Sequence, residues 1–374
     1  MLCEVDPLAR AVLAARFPSV RLESDVRELR VLPRGVDLLT AGFPCQDLSP
    51  AGTTKGIRGS KSSLVHHVFR LLRGRDVPWV LLENVPFMLH LQRGRAMRLV
   101  TDELEDLGYR WAYRVLDAMA FGLPQRRRRV FLLASRVADP ADVLFGQDAG
   151  APPDREWTAK RAAGFYWTEG NRGIGWAVDA VPTLKGGSGW GIPSPPAILL
   201  PDGRVVKPSI RDAERLQGLP ADWTEPAIHA EGARASGRWK LVGNAVCVEV
   251  SKWVGEQLSA HLDRPSAVDT SLFGDEVEDG AWPDAACSQD GRAVAVRASA
   301  WPVRVPLQPI AKFLSEDGVP LSVRATSGFV ERVVRAELAG KLRSMPGFLD
   351  ALRGHVERIE LEAAKAKRMK LVYA

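Results

Sequence analysis

The sequence predicts an α/β protein whose first 135 residues form a parallel sheet. Short apolar runs typical of buried strands alternate with helical stretches, which is the usual pattern of such sheets. The strand runs are Val36–Ala41, Trp79–Leu82 and Val130–Leu133, and the helical stretches are Pro7–Arg16, Leu64–Arg73 and Gly94–Leu107. The first two strand runs end in Gly42-Phe43-Pro44-Cys45-Gln46 and Glu83-Asn84-Val85-Pro86. Because open α/β sheets bind ligands at the carboxyl ends of their strands, we expect the functional site there.

Composition excludes several classes of protein. The 374 residues are 46% hydrophobic and 26% charged, values of an ordinary globular chain. The sequence contains no apolar run of the ~18 residues that a membrane span needs, and its N-terminus lacks a secretory pattern, so we expect a cytoplasmic protein. The four cysteines are widely spaced and the histidines lack ligand spacing, which predicts reduced thiols and no metal. A net charge of +6 permits a polyanionic partner without requiring one.

Changes in periodicity divide the chain. After residue 135 a stretch rich in Gly, Pro and Trp interrupts the pattern, and helical periodicity returns at Ser209–Gln217 and at Ala245–Leu262. We expect a core over 1–135, a recognition region over 136–208, a return to the core over 209–262, a linker over 263–291, and a partly helical C-terminal extension over 292–374. The basic helices of that extension, Gly328–Arg343 and Gly347–Lys370, are interpreted as solvated, with a larger DNA footprint as the alternative.

Two side chains at the predicted strand ends have reactive potential. Cys45 could be a nucleophile, because a thiolate is the strongest protein nucleophile at neutral pH, or it could be an inert packed cysteine. Glu83 follows an apolar strand that would desolvate it and raise its pKa, which suits a proton donor. The alternative for Glu83 is a helix cap or a partner for an arginine.

Four consecutive arginines, Arg126 to Arg129, precede the strand run that begins at Val130. Such a run usually forms a solvated face. Side chains alternate along a strand, however, so Arg127 and Arg129 point to one side and Arg126 and Arg128 to the other. One pair can therefore enter a site while the other meets solvent or phosphate.

Taken together, these segments resemble the cytosine-5 DNA methyltransferase family in order and spacing. The motifs are Pro44-Cys45-Gln46, Glu83-Asn84-Val85, Gln125-x-Arg127-x-Arg129, Pro182-Thr183-Leu184, Arg215-Leu216-Gln217-Gly218-Leu219-Pro220-x-x-Trp223 and Leu241-Val242-Gly243-Asn244-Ala245-Val246. The resemblance covers about residues 1–262. It implies a Rossmann-like, S-adenosylmethionine-dependent methyltransferase fold with a small irregular target-recognition domain and a C-terminal extension, acting as a monomer on duplex DNA.

The resemblance also implies a role for each motif residue. The Cys45 thiolate would add to C6 of a flipped cytosine, which makes C5 able to attack the methyl group of S-adenosylmethionine. Pro44 would shape the turn, Glu83 would give a hydrogen bond to N3, Asn84 would fix the loop, Arg129 would bind O2, and Arg127 would steady the Cys45 loop. Cofactor contacts are expected from Glu4, Val5, Asp25, Val26, Asn244 and Val246. Substrate contacts are expected from Gln125, Thr183, Leu184 and the Lys55 and Arg58 of a glycine-rich closing loop.

The family's first motif, a strand leading into Phe-x-Gly-x-Gly, is missing from the sequence. Two explanations stay open: a misplaced start with the motif upstream, which we favour, or a truncated chain. Loss of that central strand would leave its two neighbours with unpaired edges. Two other functions also stay open, a tRNA cytosine-5 methyltransferase and a catalytically silent DNA-binding protein. The sizeable recognition region favours duplex DNA, within a restriction–modification system with a cognate endonuclease or as a solitary enzyme.

Overall fold

The structure is a computed structural model. It describes residues 1–43, 64–152, 154–169, 174–187, 194–234, 236–263, 267–278, 280, 282–341 and 343–372. Pro44, Cys45, Lys55 and Arg58 lie outside these ranges.

Sixteen strands and ten α-helices occur in the described residues. The strands are β1 (Leu2–Cys3), β2 (Leu22–Glu23), β3 (Leu38–Gly42), β4 (Trp79–Asn84), β5 (Arg110–Asp117), β6 (Gln125–Arg126), β7 (Arg128–Ser135), β8 (Ala163–Phe165), β9 (Trp176–Val178), β10 (Val181–Pro182), β11 (Ala197–Leu199), β12 (Val205–Lys207), β13 (Phe273–Glu276), β14 (Ala285–Gln289), β15 (Arg292–Val296) and β16 (Val319–Pro320). The helices are α1 (Pro7–Arg16), α2 (Leu64–Arg73), α3 (Arg95–Asp106), α4 (Pro140–Leu144), α5 (Ile210–Leu216), α6 (Gly237–Asn244), α7 (Val248–Asp263), α8 (Ile310–Phe313), α9 (Val323–Leu338) and α10 (Phe348–Val372).

A seven-stranded sheet of order β13-β15-β14-β5-β7-β4-β3 forms the centre of the molecule. Alternate residues of its strands enter separate cores on its two faces. Val80 and Leu82 pack with residues of α2 and α3, whereas Trp79 and Phe131 pack with residues of α4 and α7. The α/β class is therefore confirmed, and the carboxyl end of β4 is held in a packed scaffold.

The expectation of an entirely parallel sheet was wrong. β3 and β4 are parallel, but β4 with β7 and β5 with β7 are antiparallel. The short connection between β5 and β7 explains this, because a parallel crossover needs a dozen or more residues. At the other end, β1 pairs in parallel with β2 in a sheet of their own, and β3 has β4 as its one neighbour in the described chain.

The linker expected over residues 263–291 was also a wrong prediction. α7 extends to Asp263, and β13 and β14 of the central sheet fall within this stretch. β14 pairs with β5, with Cys287 opposite Ala112. Both strands are short, and β13 ends in two acidic residues, so they show none of the periodicity that identifies a strand in a sequence.

A second, five-stranded sheet of order β16-β12-β11-β8-β9 lies largely in the region predicted to be irregular. Most of its strands have three residues, which is too few for a pattern to appear in the sequence. β16 comes from the C-terminal extension, and α9 and α10 pack on the same sheet. The recognition region and the C-terminal extension are therefore parts of one small domain.

Within the described ranges, every helix is either too short or too polar to cross a bilayer. The same ranges hold no group of three or more His, Cys, Asp or Glu side chains suited to a metal ion.

Arg114 ties the late strands to the core. Its side chain is fully buried on β5, and its guanidinium donates to the carbonyl oxygens of Ser299 at 2.7 Å, Leu144 at 2.9 Å and Gln147 at 2.7 Å. It also forms an ion pair with Asp148 at 3.2 Å. Burial lowers the pKa of Arg114 to about 10, so it stays charged at neutral pH. The cation thus closes the 297–301 segment onto α4 and β5.

We expect Arg114→Met to lower the free energy of unfolding by about 3 kcal/mol or more, because it leaves buried carbonyls and Asp148 without their donor. Arg110→Met is the matched control on the same strand. The Arg110 side chain is 56% exposed, and its ion pair with Asp139 is long, at 3.7 Å. That change should stay within about 0.5 kcal/mol. Urea unfolding of both variants measures the difference, and equal losses would contradict this role of Arg114.

Candidate active site

Glu83 lies where β4 ends, directly beside β3. The parallel register places Gly42 opposite Glu83, and a Cβ at Gly42 would lie 3.4 Å from the Glu83 carboxylate. The carboxylate is 18% exposed and forms an ion pair with Arg129 at 3.2 Å. Burial raises the pKa of Glu83, and the charges of Arg129 and Arg127 oppose that rise. This carboxyl group is therefore placed to hold a proton above the pH range of an ordinary glutamate.

Asn84 anchors the chain where it leaves β3. The buried Asn84 side-chain amide donates to the carbonyl oxygen of Phe43 at 3.0 Å, and its Oδ1 accepts from the Val85 N–H at 2.8 Å. Phe43 is the last described residue before Pro44 and Cys45. One side chain therefore joins the ends of the two strands that carry the Cys45 and Glu83 motifs.

The arginine run divides as the alternation predicted. Arg127 and Arg129 point inward, whereas Arg126 and Arg128 are exposed. Of the inward pair, Arg129 meets Glu83, and Arg127 is 2% exposed. The run is thus neither a wholly solvated face nor a uniform basic patch.

Arg127 joins distant segments of the chain through their backbone. Its guanidinium donates to the carbonyl oxygens of Leu184 at 3.0 Å, Gly243 at 3.1 Å and Ala245 at 2.7 Å. Burial lowers the pKa of Arg127 to about 9, with Arg129 adding to the effect and Glu83 opposing it. The contacts described for Arg127 therefore bind the late helices and the recognition segment, whereas a contact with the Cys45 loop falls outside the described residues.

Gln125 and Leu184 were predicted to bind substrate, but the structure places both inside the protein. The Gln125 amide donates to the Leu216 carbonyl at 2.8 Å and accepts from the Leu184 N–H at 2.9 Å. Gln125 is fully buried and Leu184 is 2% exposed. Their side chains therefore support the site from within. Thr183 is half-buried, and its hydroxyl donates to the Arg126 carbonyl at 2.7 Å.

The end of α6 packs on the recognition segment through glycines. A Cβ at Gly243 would lie 2.1 Å from the Lys185 carbonyl carbon, and one at Gly186 would lie 2.5 Å from the Asn244 Oδ1. Backbone therefore meets backbone where the segment 184–186 crosses α6. This contact places Asn244 and Val246 next to the segment that binds Arg127.

Glu4 and Asp25 follow the paired strands β1 and β2, so they share the carboxyl edge of that parallel pair. The Glu4 carboxylate accepts from the Asp6 N–H at 2.8 Å, and Asp6 forms an ion pair with Lys240 of α6 at 2.6 Å. These contacts link Glu4 to the helix that ends at Asn244.

The other predicted cofactor residues differ in their surroundings. Hydrogen bonds from Arg27 lower the pKa of Asp25 to about 2 and keep this carboxylate charged. Val5 is 62% exposed, and Val26 packs on the core between the sheet and α2. Asn244 is exposed and Val246 is half-buried.

Sequence reasoning missed Tyr166. Its hydroxyl donates to the Thr183 carbonyl at 2.9 Å, and the ammonium group of Lys185 lies 4.1 Å from its ring centroid. Burial raises the pKa of Tyr166, while the charges of Arg126 and Arg129 oppose that rise. Tyr166 therefore joins the small domain to the segment 183–185, in which the Leu184 carbonyl oxygen accepts from Arg127. An aromatic residue beside a glycine-rich stretch gave no motif by which to find it.

Comparison with known proteins identifies the family of this chain. The family model for C-5 cytosine-specific DNA methylase matches residues 1–162. The Type II methyltransferase M2.BsuMI of Bacillus subtilis (strain 168) is 48% identical over 346 residues, which is 89% of this chain and 87% of that protein. The Type II methyltransferase M.NlaX of Neisseria lactamica is 30% identical over 258 residues, 62% of this chain and 78% of that protein. The crystal structure of the S. pombe Dnmt2 methyltransferase aligns with a TM-score of 0.47 and 15% identity, over 70% of this chain and 90% of that chain.

The chain belongs to the cytosine-5 DNA methyltransferase family, which confirms the family that the motifs predicted. It is an enzyme of the DNA (cytosine-5-)-methyltransferase class, with S-adenosylmethionine as the methyl donor. That the chain lacks the family's first motif stays a prediction.

We expect Gly243→Ala to lower the free energy of unfolding by about 3 kcal/mol, because its Cβ would meet backbone rather than a side chain that can move. Gly255→Ala in α7 is the control, since a Cβ there meets nothing within 4 Å. It should stabilise the protein by about 0.5–1 kcal/mol. Thermal unfolding of the two variants distinguishes them, and a Gly243→Ala protein as stable as the wild type would contradict the close approach.

Proposed function

We propose that this protein methylates C5 of a cytosine flipped out of duplex DNA, through a covalent adduct with Cys45. The observation that carries the proposal is the pairing of Glu83 with Arg129 beside Gly42, at the strand end that leads to Cys45. Cys45 is two residues beyond Phe43, and two residues span at most about 7 Å. The proposed reaction requires the nucleophile to act beside this half-buried carboxyl group and the Arg129 cation.

Cytosine C5 is too weak a nucleophile to react by itself. In the proposed reaction, the Cys45 thiolate forms a bond to C6, and the displaced ring electrons place negative charge around N3 and enrich C5. A protonated Glu83 donates to N3 and Arg129 donates to O2, which stabilises that charge. After C5 has gained the methyl group, loss of the C5 proton to a base returns electrons to the ring, and the bond from sulfur to C6 breaks. Cys45 is then a thiolate again.

The cofactor is expected beside Glu4 and Asn244. Bound S-adenosylmethionine supplies an electrophilic methyl group. The Glu4 carboxylate has one oxygen engaged with the Asp6 N–H, which leaves acceptor capacity for a ribose hydroxyl, the usual partner of an acid at a strand end. Asn244 is exposed beside Gly186 and can donate or accept. Asp25 is held by Arg27, so a contact from Asp25 to an adenine amino group would share the carboxylate with that arginine.

A duplex substrate requires base flipping, which costs a few kcal/mol that contacts with the protein must offset. The small domain supplies a surface for those contacts where Tyr166 and Lys185 pack together, beside the segment whose Leu184 carbonyl oxygen binds Arg127. The relatives are named Type II methyltransferases, which favours DNA over tRNA and a role in restriction–modification.

Cys45→Ala should abolish transfer of a labelled methyl group from S-adenosylmethionine to duplex DNA, because no other group in the mechanism can add to C6. Cys287→Ala is the control, as Cys287 is buried in β14 of the central sheet and takes no part in the mechanism. Duplex DNA that contains 5-fluorocytosine should trap the wild type in an adduct stable to denaturing gels. C5 then carries fluorine in place of the proton whose loss releases Cys45. Methylation by Cys45→Ala would refute the mechanism, and labelling of tRNA in place of DNA would establish the alternative substrate.

Glu83→Gln should lower the rate of methyl transfer about 100-fold, because an amide can donate a hydrogen bond but cannot supply a proton. The raised pKa of Glu83 also predicts a wild-type rate that falls as pH rises through that pKa, since the ionised carboxylate has no proton to give. The variant should lose this alkaline fall. Rate against pH measures both effects, with the exposed Glu256→Gln in α7 as the control. An identical alkaline fall in Glu83→Gln would show that another group titrates.

A further inference from the structure

The C-terminal helices build the core of the small domain. α9 and α10 pack on the five-stranded sheet, and the Phe165 ring of β8 stacks on Phe329 of α9 at a centroid distance of 4.5 Å. Phe348, at the start of α10, meets Phe165 edge-on at 5.7 Å. The same buried cluster includes Leu199 and Val205 of the small sheet together with Leu321 and Leu352. Residues before 208 and after 318 therefore share one core.

A buried histidine adds hydrogen bonds between α10 and the small sheet. His355 of α10 is 1% exposed, and its Nδ1 accepts from the Val205 N–H at 3.1 Å. Its Nε2 lies 3.0 Å from the Leu321 carbonyl oxygen, so a neutral ring satisfies both partners. The helix is thus fixed to β12 and to the chain after β16 with specific geometry.

One end of the small sheet faces the active site. The antiparallel registers place Phe165 opposite both Ala197 and Trp176, so the chain leaving β8 and the chain entering β11 meet at the same end. Tyr166 follows β8 directly and binds the Thr183 carbonyl beside the Arg127 segment. The segments 166–169 and 194–196, here called the reading segments, therefore lie on the side of the small domain that approaches the catalytic residues.

Arg332 of α9 is connected to both reading segments by hydrogen bonds. Its guanidinium donates to the Trp167 carbonyl oxygen, and the Trp167 indole N–H donates to the Pro195 carbonyl oxygen at 2.8 Å. The hydroxyl groups of Thr168 and Ser194 form a further hydrogen bond between the two segments. The Arg332 cation on α9 is thus connected to both segments through Trp167.

We propose that Arg332 is a positioning residue for DNA target selectivity, and that the α9–α10 pair sets the reading segments against the base edges of the duplex. This inference rests on the proposed function of the site. Base selection requires side chains and backbone groups held at fixed positions against the groove. A charged donor bound to a backbone carbonyl provides such a constraint without touching the DNA.

The test is the target selectivity of Arg332→Met in methylation of a pool of duplex DNA. Cytosine-conversion sequencing of the wild-type product defines the preferred sequence, and the ratio of methylation there to methylation at single-base variants measures selectivity. We expect Arg332→Met to lower this ratio about tenfold, while the rate at saturating DNA stays within about threefold. Arg335→Met, about one helical turn away, changes an exposed residue that forms an ion pair with Glu331, and it should keep the wild-type ratio.

A wild-type ratio in a folded Arg332→Met protein would overturn the inference. If that variant does not fold, Arg332→Lys decides, because lysine keeps the charge but loses the planar fork. A ratio lowered about threefold supports the inference, and an unchanged ratio overturns it. If the wild type does not methylate cytosine, the proposed function is wrong, and competition gel shifts with the same duplex pool then test whether Arg332 sets binding selectivity.

Discussion

The buried guanidinium of Arg127 is the contact on which the arrangement of the site depends. A buried charge without partners is very costly, so the chain must bring hydrogen-bond acceptors to it. Those acceptors are carbonyl oxygens from Leu184 of the recognition segment, from Gly243 in the last turn of α6 and from Ala245 directly after that helix. The glycines at 186 and 243 permit the close backbone approach that this requires. Folding around Arg127 therefore brings the segment around Leu184 and the end of α6 to the arginine run that also carries Arg129.

The candidate catalytic residues and the reading segments lie on different kinds of structure. Glu83 and Asn84 lie at the end of a central strand, packed on both faces, where their positions are set by the sheet. Tyr166 and the reading segments lie on loops of a small domain, whose sheet needs helices from the end of the chain to complete its core. Such loops can vary while the strand-end residues keep their geometry. This division suits a family in which one reaction is directed to many target sequences.

Local patterns in the sequence determined much of the core. α1 and α2 have the predicted bounds, because each repeats apolar residues at helical spacing over ten residues. The motif order determined the family, and alternation alone separated Arg127 and Arg129 from their exposed neighbours. β13 and β14 were missed since four- and five-residue strands in acidic surroundings have no recognisable period. Their strand structure comes from pairing across the sheet, as β14 does with β5.

The sequence by itself determined the chemical groups: a cysteine after a proline, a glutamate at a strand end, and two inward arginines. Only the tertiary structure decided what surrounds them. Gln125 and Leu184 are buried supports, and the C-terminal helices complete the core of the small domain. The physical reason is distance along the chain. Arg127 meets Ala245 across 118 residues, and Arg332 meets Trp167 across 165, and no local periodicity encodes contacts of that separation.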